Sequence, residues 1–203
     1  EGMALGNIGM LGASEEAETT PFEYYSAALK IYRELGNRRL EAITEGNLGL
    51  LLLEDRNFKG AQEHCAAALS RTREIGARRL EGYWLGSLGQ IAIYKENFEQ
   101  AREQLTEAVG ICRETFWKAS EGRFAAMLAE VHAHLGDFEQ AEMVMDRAER
   151  QLQEVGHQVE LTMLKCRRGM IVALQGKEDL ATVLLQQAEE ALEDLEGSHP
   201  QLV

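Results

Sequence analysis

The chain has 203 residues, 45% of them hydrophobic and 27% charged, with two prolines and a formal net charge of −13. So acidic a chain repels phosphate backbones and anionic lipid, which removes nucleic acid and membrane surface from the expected partners. No run approaches the roughly 18 apolar residues of a membrane span, and no charged-then-apolar leader opens the chain. Cys65, Cys112 and Cys166 are odd in number and sit in apolar-periodic stretches, the pattern of reduced core residues in a cytoplasmic protein rather than of a disulfide framework.

From its first residues the chain follows a rhythm of forty. Stepping from Gly9 gives Gly49, Gly89, Ala129 and Gly169, and stepping from Pro21 gives Ala61, Ala101, Ala141 and Ala181. Ala28, Ala68, Ala108, Ala148 and Ala188 form an unbroken column, and Phe58, Phe98 and Phe138 share another that lapses at Glu178. Self-similarity at this period marks a repeat architecture. Five copies are expected, at about 1–40, 41–80, 81–120, 121–160 and 161–197, with 198–203 as a tail or linker. The chain starts at Glu1 already inside the pattern and is expected to be a fragment of a longer protein.

Copy one departs most: Gly12 to Thr20 is polar and Pro21 holds an Ala place, which lengthens its bend. Copy three shows the unit most clearly. Leu85, Leu88, Gly89 and Ala92 follow i, i+3, i+4, i+7, and Ala101, Leu105, Ala108 and Cys112 follow i, i+4, i+7, i+11, so each stretch is an amphipathic helix. Between them Lys95-Glu96-Asn97 is a polar bend whose Asn is available to cap the second helix. Gly36, Gly76 and Gly156 are expected to end second helices as left-handed caps, with Phe116 and Glu196 at the lapses. Gly89 and Ala101 are expected where the two helices cross closest, because two small residues let the backbones approach. Copy five departs at Arg168, where Leu is the rule, and at Glu178.

The residues Leu48-Gly49, Phe58, Ala61 and Ala68, repeated as Leu88-Gly89, Phe98, Ala101 and Ala108, resemble the tetratricopeptide repeat. The period of forty, with phrases such as Gly46-Asn47-Leu48-Gly49, is similar to the long repeats of kinesin light chains and large bacterial regulators. The resemblance implies an all-α, right-handed superhelical solenoid of about five antiparallel helix pairs, with the first helices lining a concave groove. The six residues beyond the family's usual thirty-four add close to one turn to each helix.

At 100° per residue, the pole of each first helix opposite its packed face carries Met3, Asn7, Met10 and Ser14 in copy one. In copy two it carries Ile43, Asn47, Leu50 and Glu54, and in copy three Tyr83, Ser87, Gln90 and Tyr94. Copy four places Arg123, Met127, Glu130 and His134 there, and copy five Met163, Arg167, Met170 and Leu174. Half of these positions are apolar or aromatic, more than a face bathed in water needs. This surplus predicts a groove that takes a peptide or helix of a partner protein, with Met and Tyr supplying contact area and Asn7, Asn47, Ser87 and Gln90 supplying hydrogen bonds. The competing expectation is that tightly stacked copies cover these residues themselves, or that a flanking segment of the parent chain fills the groove. Arg123 and Arg167 are placed to meet an acidic ligand group or to stand as solvated arginines. The residues after each column Gly or Ala are Met10, Leu50, Gln90, Glu130 and Met170, not the Asn with which related repeats grip a C-terminal carboxylate, so a clamp of that kind is not expected.

Catalytic and metal-binding patterns are not found. His132 and His134 stand about 200° apart on a helix, where they cannot share a metal, and His64-Cys65 has the same defect. Glu130 with His134, at i, i+4, is the single acid–base candidate. The expectation is therefore no enzyme, no metal and no cofactor, but a non-catalytic protein-interaction scaffold, with a ligand- or peptide-sensing regulatory domain as the alternative. Arg38-Arg39 and Arg78-Arg79 recur at the starts of first helices, as a basic strip or as partners of nearby Glu. The last helix carries Leu180, Val183, Leu184, Leu185, Ala188, Ala191, Leu192 and Leu195, apolar over more than one stripe, which predicts a homodimer through this C-terminal helix. The stretch from Glu196 through Pro200 reads as a linker.

Overall fold

The computed structural model describes residues 20–198, so Met3, Asn7, Met10, Ser14 and the first helix expected for copy one lie outside the described residues. The described residues form helices without strands. They are α1 (Pro21–Glu34), α2 (Arg38–Glu54), α3 (Phe58–Glu74), α4 (Arg78–Tyr94), α5 (Phe98–Glu114), α6 (Lys118–His134), α7 (Phe138–Val155), α8 (Gln158–Leu174) and α9 (Glu178–Ser198). The chain divides into two compact units, residues 1–96 and 97–203, taken here in turn.

In the first unit α2 and α3 form the helix hairpin, α1 packs before it and α4 after it. In the second, α6 pairs with α7 and α8 with α9, while α6 also lies directly against α8. Helix α1 starts three residues later than the period requires. Pro21 occupies its first position and Thr20 caps it in a reciprocal capping box with Glu23, while the bend expected before it lies outside the described residues. The helix of α9 continues through Gly197 and Ser198, so the stretch expected to open as a linker at Glu196 begins as helix.

One device ends nearly every helix. Gly36, Arg56, Gly76, Glu96, Phe116, Gly136, Gly156 and Gly176 all have positive φ, one every twenty residues. The sequence pointed to this cap only at the Gly positions closing second helices, but the bends inside copies two to five use it too. At Arg56 the N–H bonds Leu53 O and the next N–H, of Asn57, reaches back to Leu52 O at 2.8 Å, closing the turn so that a new helix starts antiparallel to the last. Asn57 then caps α3 through Gly60 N at 3.1 Å. Asn97, expected to cap α5, does not: its amide donates to Gln100 Oε1 instead.

Small residues set how closely the helices approach. A Cβ at Gly49 would lie 2.6 Å from Cys65 Sγ and 3.0 Å from the Ala61 carbonyl oxygen, so the expected glycine–alanine crossing exists in copy two. Gly46 admits the fully buried Trp84 ring, which a Cβ would approach to 2.3 Å, and Gly122 does the same for Leu152. Gly46→Ala should therefore lower stability by about 1–3 kcal/mol despite the better helix propensity of Ala. Gly110→Ala, with nothing within 4 Å of the new methyl, should raise it by up to about 1 kcal/mol in the same denaturant titration. Phe116 is 87% exposed and carries a positive φ that costs a non-glycine residue about 1 kcal/mol, so Phe116→Gly should raise the thermal midpoint.

Candidate functional site

The pole residues of the first helices meet three different fates. In the first unit Ile43, Asn47 and Leu50 on α2, with Tyr83 and Gln90 on α4, are half-buried, and Tyr94 is 52% exposed. Asn47 hydrogen-bonds the Tyr25 phenol of α1, whose pKa burial pushes up. Tyr94 stacks on Phe58 at 5.8 Å between ring centroids and 12° between planes. Ser87 is buried and donates to the Tyr83 carbonyl oxygen, so it is a helix-internal residue and offers no hydrogen bond at a surface.

In the second unit Met127 and Glu130 are buried, because α6 is covered by α8. Arg167 of α8 is bound to Glu130, and Arg123 lies 3.7 Å from Glu160. Arg167 is thus engaged by a buried carboxylate, while Arg123 stands partly exposed beside Glu160. Glu130 is thus an ion-pair partner, and its acid–base candidacy with His134 finds no support, since His134 stacks on Phe98 at 4.2 Å. Met163, Met170 and Leu174 at the end of the series are exposed. Covering by a neighbouring copy, the competing expectation, therefore holds for Met127 and Glu130, while α2 and α4 keep a partly open apolar and aromatic face.

The most ordered polar feature was not anticipated. Glu41, Glu81 and Glu121 stand one period apart, all buried one turn into a first helix. Each is held by an arginine from the last turn of the preceding helix: Arg33 at 3.5 Å, Arg73 at 2.8 Å and Arg113 at 2.9 Å. Arg38 and Arg78 add 3.3 and 2.9 Å contacts from the same helix as the carboxylate, so the first member of each recurring arginine pair serves a nearby Glu. Arg71 closes on Glu41 at 2.8 Å, and Gln151 donates to Glu121 at 2.6 Å from the matching place on α7. Copy two adds Glu45, which takes Arg33 at 2.8 Å and His64 at 3.0 Å. The signal lay in the sequence as two columns, Glu41/81/121 and Arg33/73/113, offset by eight residues; a charged column is easily read as solvated surface.

Burial alone would raise the Glu41 carboxyl, but the hydrogen bond from Arg71 and the charges of Arg71, Arg38 and Arg33 outweigh it and hold the group below the usual carboxylate range. Glu81 is held down in the same way, against burial, by Arg73 and Arg78. A folded-state value below the unfolded one contributes stability that is complete above about pH 4.3 and is lost as pH falls through the folded value. Acid titration followed by circular dichroism should show the wild type losing stability below that point. Glu41→Gln with Glu81→Gln should cost about 1–3 kcal/mol at neutral pH and flatten the acid limb.

Nucleophile and metal chemistry have little to work with. Burial pushes the Cys65 thiol up to about 12, so it remains a protonated, apolar side chain packed on Gly49. Burial also lowers His132, with Asp137 opposing and Arg102 adding to the shift. Among the described residues no group of three or more His, Cys, Asp or Glu is arranged to hold a metal ion, and no helix is long and apolar enough to cross a membrane.

Helix hairpins of this length, closed by small residues and an aromatic at the bend, are similar to those of tetratricopeptide repeats. Residues 40–114 match the family model described as Tetratricopeptide repeat. No curated protein matches the chain. Among solved structures, Aspartyl phosphate phosphatase F from Bacillus subtilis aligns at a TM-score of 0.77 and 16% identity over 89% of this chain and 46% of its own. A Rap protein complexed with Competence and Sporulation Factor aligns at 0.70 and 20% identity, over 90% and 53% of the two chains. A Podosopora anserina chain of nearly identical TPR-like repeats, described as a kinesin light chain, aligns at 0.66 and 12% identity, over 96% and 94%. This chain thus spans about half the length of the first two neighbours. Identities this low establish the fold alone, all-α helical repeats.

Proposed function

We propose that the chain is a non-catalytic protein-interaction domain that binds a peptide or helix of a partner protein. The face offered is that of α2 and α4, carrying Ile43, Asn47, Leu50, Tyr83, Gln90 and Tyr94. One observation carries the reading: these apolar, aromatic and amide side chains share one face of two adjacent first helices and remain half-open, whereas Met127 and Glu130 on α6 are sealed by α8. An amphipathic segment would bury its apolar side chains on Leu50 and Tyr94 and take hydrogen bonds from the amides.

A second reading, a sensing domain that drives an attached output, draws support from the neighbour solved with Competence and Sporulation Factor bound. Small-angle scattering with and without the bound partner separates the two, since sensing requires a change of shape and scaffolding does not. Cytoplasmic location fits either reading. Self-association through α9 is supported by the exposure of Leu180 and Val183, and light scattering across a concentration series checks it.

Leu50→Asp combined with Tyr94→Asp should abolish retention of the partner in an affinity pull-down from native cytosol while leaving helical circular dichroism nearly unchanged. Full retention by the folded double variant would assign binding to another surface, and loss of helix would make these residues core.

A further inference from the structure

Two departures from the repeat fall in the second unit, and they complement each other. The first is a protrusion. The turn that closes a second helix carries Gly36, Gly76 and Gly156, whose φ is 63–66°, but Phe116 in the same register. A non-glycine residue there costs about 1 kcal/mol, and a ring 87% exposed gains little packing from its own chain to offset that cost. A strained side chain that touches so little of its own molecule points to a contact made with another.

The second departure is a hollow. Leu48, Leu88 and Leu128 are buried on first helices, and Arg168 stands in their register on α8. Its guanidinium is drawn out to Asp146 at 2.9 Å and Glu149 at 2.8 Å rather than packed between the helices. A cavity of about 280 Å³ stands beside it, walled by Ala141 and Met145 of α7, Ile171 and Val172 of α8, and Leu180 and Leu184 of α9. The polar groups at its rim already have partners: Arg168 holds its two carboxylates, and Gln175 donates to Glu142 at 3.0 Å. An apolar cavity of roughly 150 Å³ takes a benzene ring, so this one has room for a Phe side chain. The guanidinium at the rim also favours an aromatic face over an aliphatic one.

We propose that Phe116 of one molecule inserts into this hollow of a second copy of the chain and joins the two head to tail. Within one molecule the two cannot meet. Lys118, two residues past the ring, lies 3.3 Å from Glu154 in the last turn of α7. Ala141 and Met145 stand nine to thirteen residues earlier on that helix, about 14–20 Å away at 1.5 Å per residue. Ring and hollow are thus different surfaces at opposite ends of the helices, and the contact is heterologous: each molecule both donates a ring and receives one. Because α9 supplies one wall, the inference rests on the self-association proposed above and deepens it, replacing a symmetric pairing of two α9 helices by a one-sided contact. It does not depend on the face of α2 and α4.

Sedimentation of the full chain across a concentration series tests this. The wild type should grow in mass with concentration. Phe116→Gly, which removes the ring, and Val172→Trp, which fills the hollow from α8, should each associate at least about tenfold more weakly at unchanged helical content. Mixed in equal amounts, the two variants should form a dimer and stop there, because the first keeps the hollow and the second keeps the ring. Methyl shifts at Met145 and Ile171 of Phe116→Gly, on addition of Val172→Trp, should mark the contact. If Val172→Trp does not fold, Leu180→Lys at the exposed mouth of the hollow takes its place. A monomeric wild type overturns the inference, as does association of Phe116→Gly at wild-type strength or failure of the mixture to pair. Association that survives Phe116→Gly but is lost in Val183→Asp, an exposed α9 residue outside the hollow, assigns the pairing to two α9 helices and overturns it equally.

Discussion

A left-handed residue every twenty positions is the constraint on which the other features are registered. It reverses the chain after about seventeen helical residues, so that within each unit one helix turns back on the next. The turn is closed by backbone hydrogen bonds that any residue can make, which is why Arg56, Glu96 and Phe116 can stand where glycine is favoured. Once helix length is set, the same side-chain positions face each other in every copy, and small residues at the crossings let the backbones close. Cys65 on Gly49 and Trp84 on Gly46 are two products of that register.

The same register turns two columns of charge into a set of joints. Each buried glutamate sits one turn past a reversal, within reach of the arginine one turn before it. A single ion pair of this kind spans the bend and ties the end of one helix to the start of the next. Such pairs contribute little net stability compared with apolar contacts, but removing one partner strands a buried charge, so they penalise wrong registers heavily. Copy two carries the densest version, with Glu41 and Glu45 sharing Arg33 and Arg71. Copy five dispenses with it, with Leu161 in the glutamate register.

Side chains of the pole stay open where the stacking is incomplete. In the second unit α8 lies against α6, and residues that read as a ligand-facing pole become interior: Met127 packs and Glu130 takes Arg167. On α2 and α4 the equivalent pole stays half-open, with aromatic stacking between Tyr94 and Phe58 holding one edge in place. The distinction between core and contact surface thus changes from copy to copy although the residue pattern does not.

Helical periodicity, the forty-residue repeat and the small-residue columns were legible in the sequence, because each follows from spacing along one chain: Gly49, Ala61 and Ala68 announce a hairpin without any knowledge of its neighbours. The left-handed caps at Arg56, Glu96 and Phe116 were not, since their side chains carry no preference for the conformation. Nor did the periodic Glu and Arg columns declare themselves as buried, because burial depends on which helix arrives from the next copy. Which pole residues remain open was decided by tertiary structure alone: the angle and distance between successive first helices determine whether a methionine such as Met127 meets solvent or a neighbouring helix, and no local propensity encodes that distance.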